Sequence, residues 1–209
     1  MSKPTPKTVS DFDPEVMRLF DQYVHGMIDR RGFLRDAARF AVGASTAAGL
    51  LAALSPKFAE AQQIKPDDAR LATRYVEFPS PEGYGTGRGY LAQPAKAKGA
   101  LPVVLVVHEN RGLNPHIEDV TRRLALEGYI AFAPDALFPL GGYPGDEDKA
   151  RELFQRLDQA KTRQDFLAAV TMLNGIEGSN GRMGTTGFGY GGAMANFLAT
   201  QLPGLRAAV

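Results

Sequence analysis

The sequence has no cysteine and almost no net charge. Without cysteine there is no disulfide framework, no thiolate metal site and no cysteine nucleophile. The formal net charge is +1, which gives no indication of a nucleic-acid partner. Hydrophobic residues make up 44% of the 209 residues, so the composition is that of an ordinary globular protein with one core.

Long hydrophobic runs are also missing. The apolar stretch at residues 40–54 is rich in Ala and Gly and is shorter than the roughly 20 residues that span a bilayer. A basic segment, residues 29–35, precedes it, and an A-x-A pattern at residues 59–61 follows it. This order is typical of a cleaved export signal, and paired arginines followed by Phe-Leu resemble a twin-arginine signal. We therefore predict a leader over residues 1–61 and a folded domain over residues 62–209.

The predicted leader has consequences for partners and location. It implies contact with the twin-arginine export machinery, a periplasmic or secreted protein, and no stable membrane span after cleavage. Asp29 is a departure from the pattern, which prefers Ser or Thr at that position. Two alternatives are an uncleaved membrane anchor and an amphipathic helix that docks on the domain.

After the leader, apolar strand patterns alternate with helical patterns, without internal repeats. Strands are predicted at residues 71–78, 87–93, 101–107, 129–133, 182–188 and 205–209, and helices at residues 115–127, 147–157, 164–173 and 193–201. This alternation predicts an α/β fold with a mostly parallel sheet and helices on both faces. The chain ends inside the last predicted strand, so we expect the sheet to be incomplete at its C-terminus. A nucleotide-binding doubly wound fold is the main competitor, but no G-x-G-x-x-G or P-loop pattern follows the strand at residues 101–107.

Residues 187–192, Gly-Phe-Gly-Tyr-Gly-Gly, lie between a predicted strand and a predicted helix. Hydrolases place a G-x-nucleophile-x-G turn at such a junction. The flanking glycines, Gly187 and Gly191, are present, but the central residue is Gly189, which has no side chain that could attack a substrate. The pattern alone is weak, because glycine-rich strand-to-helix turns also bind phosphates.

Three segments together strengthen the interpretation. Residues 108–114, 128–135 and 184–192 resemble the dienelactone hydrolase family in order and spacing, and the resemblance extends from about Tyr75 to Val209. It is closest to the exported branch of the family that carries a twin-arginine leader. The resemblance implies an α/β-hydrolase fold and hydrolysis of a small-molecule ester or lactone of a small carboxylic acid. It also implies a covalent acyl intermediate, with no cofactor and no metal.

The resemblance also implies roles for individual residues. The family's nucleophile is a cysteine at the position of Gly189, and its activating glutamate corresponds to Glu109. The oxyanion-hole amides correspond to the backbone N–H groups of Asn110 and Tyr190. Arg111 is a candidate for holding a substrate carboxylate, although a salt bridge within the loop explains it equally well.

The missing nucleophile predicts a poor enzyme or none. The family's catalytic aspartate and histidine follow the nucleophile in the chain, and this sequence ends before either. The chain is then a fragment of an active hydrolase, a pseudoenzyme that binds a small acidic ligand, or a reading frame that does not fold stably.

Simpler structural roles compete at several positions. Glu109 is also explained as a loop carboxylate paired with Arg111, and His108 as a structural hydrogen-bonding group. His108, Glu109 and His116 superficially suggest a metal site, but their spacing does not match H-E-x-x-H. Asp135, after a strand and a proline, is expected to bind loop backbone.

Overall fold

A computed structural model describes residues 9–41, 46–55 and 61–209. The chain divides into two compact units, Met1–Lys57 and Phe58–Val209, close to the predicted boundary at residue 61. The twin-arginine interpretation of the first unit stays a prediction. Residues 42–45 of its apolar run and residues 59 and 60 of its cleavage pattern lie outside the described residues.

The described residues of the first unit form three α-helices, α1 (Pro14–Val24), α2 (Arg30–Ala37) and α3 (Ala47–Leu54). Asp29 caps α2, because its Oδ1 accepts a 2.7 Å hydrogen bond from the Gly32 N–H. This contact gives a structural reason for an aspartate at that position. The helices share one apolar cluster, consisting of Val16, Leu19, Tyr23, Phe33, Ala37 and Leu51.

None of the helices that the structure describes is long and apolar enough to cross a membrane.

From residue 61 onwards, the second unit shows a six-stranded sheet and four α-helices. The strands are β1 (Leu71–Ser80), β2 (Gly85–Pro94), β3 (Leu101–Val107), β4 (Ile130–Pro134), β5 (Ser179–Gly187) and β6 (Ala207–Ala208). The helices are α4 (Pro115–Leu126), α5 (Glu147–Gln155), α6 (Gln159–Asn174) and α7 (Tyr190–Gln201). The strand order is β1-β2-β4-β3-β5-β6. The first two strands are antiparallel, β2 pairs antiparallel with β4, and the remaining four strands are parallel.

Apolar clusters cover both faces of this sheet, because successive side chains of a strand point to opposite faces. Val106 of β3 packs in one cluster with Ile117 of α4, whereas Leu105 packs in the other with Phe154 of α5 and Phe166 of α6. The uninterrupted apolar run of β3 is therefore required by burial on both sides. The predicted α/β architecture with helices on both faces is confirmed.

Two helices begin earlier than predicted. α6 starts at Gln159 rather than residue 164 because the Asp158 carboxylate accepts hydrogen bonds from the N–H groups of Ala160 and Lys161. α7 starts at Tyr190 rather than residue 193, directly after the glycine turn. Apolar periodicity missed both first turns because their residues are mostly polar or glycine.

We predict that Gly89→Ala destabilises the domain by about 1–3 kcal/mol, the usual cost of overpacking a core. A Cβ at Gly89 would overlap the Phe132 ring and lie 2.7 Å from the Ala133 carbonyl oxygen. The matched control is Gly204→Ala, since a Cβ there meets nothing within 4 Å. Urea unfolding of both variants and the parent measures the effect, and equal midpoints for the two variants would contradict the packing described.

Candidate functional site

The segments predicted to carry the chemistry meet at one edge of the sheet. Because β3 and β5 are parallel neighbours, their carboxyl ends lie side by side, where open α/β sheets usually bind ligands. Val107 of β3 is paired in register with Gly187 of β5. Glu109 and Gly189 each lie two residues beyond that pair. The sheet register therefore brings both positions to the same edge of the sheet, at the ends of neighbouring strands. Neighbouring strands of a sheet are about 4.8 Å apart.

Gly189 forms the predicted sharp turn between strand and helix. It is the N-cap of α7, with φ 54° and ψ −115°, a conformation that residues with a side chain rarely adopt. A Cβ built on Gly189 meets nothing within 4 Å. A side chain at this position would therefore point into open space, and only the backbone conformation would resist it.

Two other glycines allow the turn to be tight. A Cβ on Gly187 would lie 2.5 Å from the Gly191 carbonyl oxygen. A Cβ on Gly191 would overlap the Val107 carbonyl oxygen and lie 2.9 Å from that of His108. The start of α7 thus lies directly on the backbone at the end of β3, and only glycine permits that approach. Tyr190 is the first residue of α7, so its N–H has no partner within the helix.

His108 is a buried structural histidine, as predicted from the sequence. Its Nε2 accepts a 3.1 Å hydrogen bond from the Ala136 N–H, so the ring proton lies on Nδ1, which donates to the Glu109 carbonyl oxygen at 2.6 Å. Burial lowers the pKa of His108 to about 4. Both ring nitrogens are therefore engaged in hydrogen bonds. No group of metal-binding side chains is found in the part of the chain that the structure describes.

Aromatic rings join this histidine to the start of α7. The His108 ring stacks on Tyr190 with centroids 6.5 Å apart and an interplanar angle of 18°. Phe154 of α5 meets the Tyr190 ring edge-on at 4.6 Å. Burial raises the pKa of Tyr190 to about 12, and its hydroxyl is buried without a hydrogen-bond partner among the described residues. The sequence gives a reason to single out only the backbone amide of Tyr190, and no local pattern indicates this packing of its ring.

Arg111 forms an ion pair with Glu147 at the start of α5, with 3.0 Å between Nε and Oε2. Oε1 of the same carboxylate accepts hydrogen bonds from the Tyr143 hydroxyl at 2.7 Å and the Asn114 side chain at 3.4 Å. The ion pair of Arg111 is thus made with a residue of α5, and both interpretations of Glu109 stay predictions.

Asp135 follows β4 at the same edge of the sheet. Its Oδ1 accepts a 3.0 Å hydrogen bond from the Leu137 N–H, and its Oδ2 lies 3.3 Å from the Arg88 guanidinium. Burial raises the pKa of Asp135, against the lowering effect of Arg88. The predicted binding of loop backbone by Asp135 is confirmed.

Two family models match the chain. One, described as the dienelactone hydrolase family, matches residues 88–209. The other, described as YqhI-like, matches residues 4–42.

Individual relatives agree with the first match. "Putative hydrolase fragment YghX" of Escherichia coli (strain K12) is 55% identical over 113 residues, which are 54% of this chain and 97% of that protein. A "Putative carboxymethylenebutenolidase" of the same strain is 39% identical over 150 residues, or 69% of this chain and 53% of that protein. Apart from the fragment, the chain spans about half the length of the curated relatives that it matches.

The fold is also found in solved structures. The crystal structure of "Putative Dienelactone Hydrolase" from Klebsiella pneumoniae subsp. pneumoniae MGH 78578 superposes with a TM-score of 0.54 at 32% identity. The superposition covers 65% of this chain and 58% of that one. The sheet and helices of the second unit therefore have the α/β-hydrolase architecture.

We predict that Gly191→Ala destabilises the domain by about 2 kcal/mol or more, because the new Cβ would meet backbone atoms that side-chain rotation cannot relieve. Gly192→Ala is the control. It lies in the same helix turn, its Cβ would approach the Gly187 carbonyl oxygen only to 3.5 Å, and alanine favours the helix by about 1 kcal/mol. Chemical denaturation compares the two variants. A Gly191→Ala variant as stable as Gly192→Ala would contradict the close approach.

We predict that His108 makes the fold sensitive to mild acid. Its folded pKa of about 4 lies below the ordinary value of 6.5, so the unfolded chain binds the proton more readily. The contribution is complete above pH 6.5 and is lost as the pH falls towards 4, by about 3 kcal/mol in all. The free energy of unfolding of the parent and of His108→Gln is measured between pH 7 and 4. A difference between them that does not change with pH would refute this assignment.

Proposed function

We propose that the second unit carries an ester- or lactone-hydrolase site that lacks the attacking side chain. The chain belongs to the dienelactone hydrolase family. The observation that supports the proposal most strongly is the turn at Gly189. Its backbone conformation, its position between β5 and α7, and the open space at its Cβ suit a nucleophile that the residue does not supply.

The remaining groups have distinct proposed roles. The N–H groups of Tyr190 and Asn110 would donate to the carbonyl oxygen of a bound ester or lactone and stabilise the oxyanion that develops there. Glu109 would accept the proton of the attacking group. His108 would hold the loop, because its Nδ1–H fixes the Glu109 carbonyl. With an attacking side chain at position 189, the reaction class would be acyl transfer to that side chain, followed by hydrolysis of the acyl intermediate. In the chain with Gly189, water would have to attack the carbonyl carbon directly.

Loss of the nucleophile sets the expected activity. Hydrolases stripped of catalytic side chains retain roughly 10³–10⁴-fold acceleration over water from the oxyanion hole and substrate binding. We therefore propose weak hydrolysis at most. Binding of a substrate carboxylate by Arg111 would compete with its ion pair to Glu147, so this part of the site suits neutral esters and lactones better than acidic ligands.

The first unit is proposed to direct export. The order of basic, apolar and small residues supports a twin-arginine leader, and Arg30 and Arg31 are exposed at the start of α2. The mature domain would then act in the periplasm or outside the cell.

We predict that Gly189→Cys gains an acylation step. On mixing with p-nitrophenyl acetate, the variant should release a burst of up to one equivalent of p-nitrophenol and retain an acetyl group on the introduced thiol, detected by mass spectrometry. The parent has no thiol and should give no burst. The expected acceleration over a free thiol is roughly 10-fold or more, since even one oxyanion donor is worth about 10²-fold in established hydrolases.

Two control variants separate chemistry from folding. Gly189→Ala places a Cβ in the same strained backbone without a thiol and should give no burst. Gly189→Cys combined with Glu109→Gln should acylate about 10²-fold more slowly if Glu109 acts as the base. If a folded Gly189→Cys variant acylates no faster than free cysteine, the proposed site is wrong.

A further inference from the structure

Two charged side chains of α4 are buried where the chain enters the second unit. The side chains of Asp119 and Arg122 are 3% and 0% exposed, with 3.8 Å between Oδ1 and Nη2. Asp119 Oδ1 accepts hydrogen bonds from the N–H groups of Gln63 at 3.0 Å and Ile64 at 2.8 Å. The pair therefore faces the backbone of the segment that follows the predicted leader.

Arg122 completes this arrangement from the other side. Its Nε donates to the Ile64 carbonyl oxygen at 2.9 Å, its Nη1 to the Tyr90 hydroxyl at 3.1 Å, and its Nη2 to the Gln62 side-chain oxygen at 3.4 Å. The guanidinium also lies 5.7 Å from the centre of the Tyr90 ring. The contacts of the guanidinium thus come from residues 62 and 64, from β2 and from α4 itself.

Burying two charges is costly unless their remaining hydrogen-bonding capacity is met. Here residues 62–64 meet it with two backbone amides and one backbone carbonyl, and only the Gln62 contact involves a side chain of the segment. The pair therefore binds mostly main-chain groups, as a binding site for a short extended peptide would. We call Asp119 and Arg122 the backbone clamp.

We propose that the backbone clamp is the binding site for the amino-terminal segment of the processed domain, so that the leader predicted from the sequence can be removed at the bond between Ala61 and Gln62 while the segment stays bound. This inference rests on the export function proposed above. Hydrolysis of that bond by a peptidase adds water, leaving a carboxylate on Ala61 and an ammonium group on Gln62. The ammonium lies one residue before the N–H that binds Asp119, and its attraction to that carboxylate favours the clamped segment.

The clamp also determines where the chain can be cut without loss of structure. Ala61 is exposed, whereas the next three residues are tied to α4 through their backbone or side-chain atoms. A cut at residue 61 leaves every clamp contact in place. A cut after Ile64 would remove the segment and leave Asp119 and Arg122 buried without their backbone partners.

Hydrogen exchange on the full chain tests the clamp. We expect the amides of Gln63 and Ile64 to be protected in the parent. Replacing the pair with apolar residues of similar size, Asp119→Leu with Arg122→Met, should accelerate their exchange by roughly 10-fold or more, since the acceptor is gone. Arg123→Met is the matched control, because Arg123 is the next residue of α4 and is exposed; it should leave the protection unchanged.

The exchange rates in these variants decide whether the backbone clamp holds the segment. Unchanged exchange in a cooperatively folded double variant would overturn it. If the double variant does not fold, Asp119→Asn replaces it; this change keeps the shape but weakens the acceptor, and it should still accelerate exchange at Gln63 and Ile64 relative to Arg123→Met. Equal exchange in those two variants would also overturn the clamp.

The amino terminus of the exported protein tests the processing site. The full chain is expressed in a bacterium with a twin-arginine pathway, and the mature protein is sequenced by mass spectrometry. A terminus at Gln62 supports the proposal, and a terminus beyond Ile64 overturns it. An uncleaved chain overturns the leader and the processing site, while the exchange experiment still decides the clamp, so the two failures are distinguishable.

Discussion

The close approach of α7 to the end of β3 is the constraint on which the rest of the site depends. Gly187 and Gly191 let backbone meet backbone where any side chain would intervene. This contact turns the chain sharply at Gly189, leaves the Tyr190 amide at the free end of the helix, and sets the Tyr190 ring against His108. A substitution that enlarges either flanking glycine therefore acts on the whole site and not on one residue.

Local patterns were sufficient for most of the fold. The continuous apolar run of β3 indicated a strand buried on both faces, and the glycines around residue 189 indicated the turn that begins α7. Both signals lie in a few consecutive residues, because the residues that form a buried strand must be apolar and those that form a sharp turn must tolerate its backbone conformation. The family resemblance added the positions of Glu109, Asn110 and Tyr190, whose chemical roles remain proposals.

Contacts between distant parts of the chain were not predictable in this way. The ion pair of Arg111 with Glu147 and the packing of Phe154 on Tyr190 depend on how α5 is placed over the edge of the sheet. The hydrogen bonds of Arg122 to residues 62 and 64 and to Tyr90 were likewise not predictable, since periodicity indicates that a side chain faces inward but not which polar groups it binds. Partners of buried polar side chains become visible only when the tertiary structure is known.

Structure and chemistry are separable at position 189. In hydrolases with this turn, the nucleophile holds a rarely populated backbone conformation, which costs about 1–3 kcal/mol in a residue with a side chain. Glycine adopts the same conformation with little strain, and the packing that enforces it comes from Gly187, Gly191 and the end of β3. The scaffold of the turn therefore does not require the attacking group. Under the proposed function, losing that group would remove chemistry while relieving strain, so the fold around the proposed site could persist with its central side chain absent.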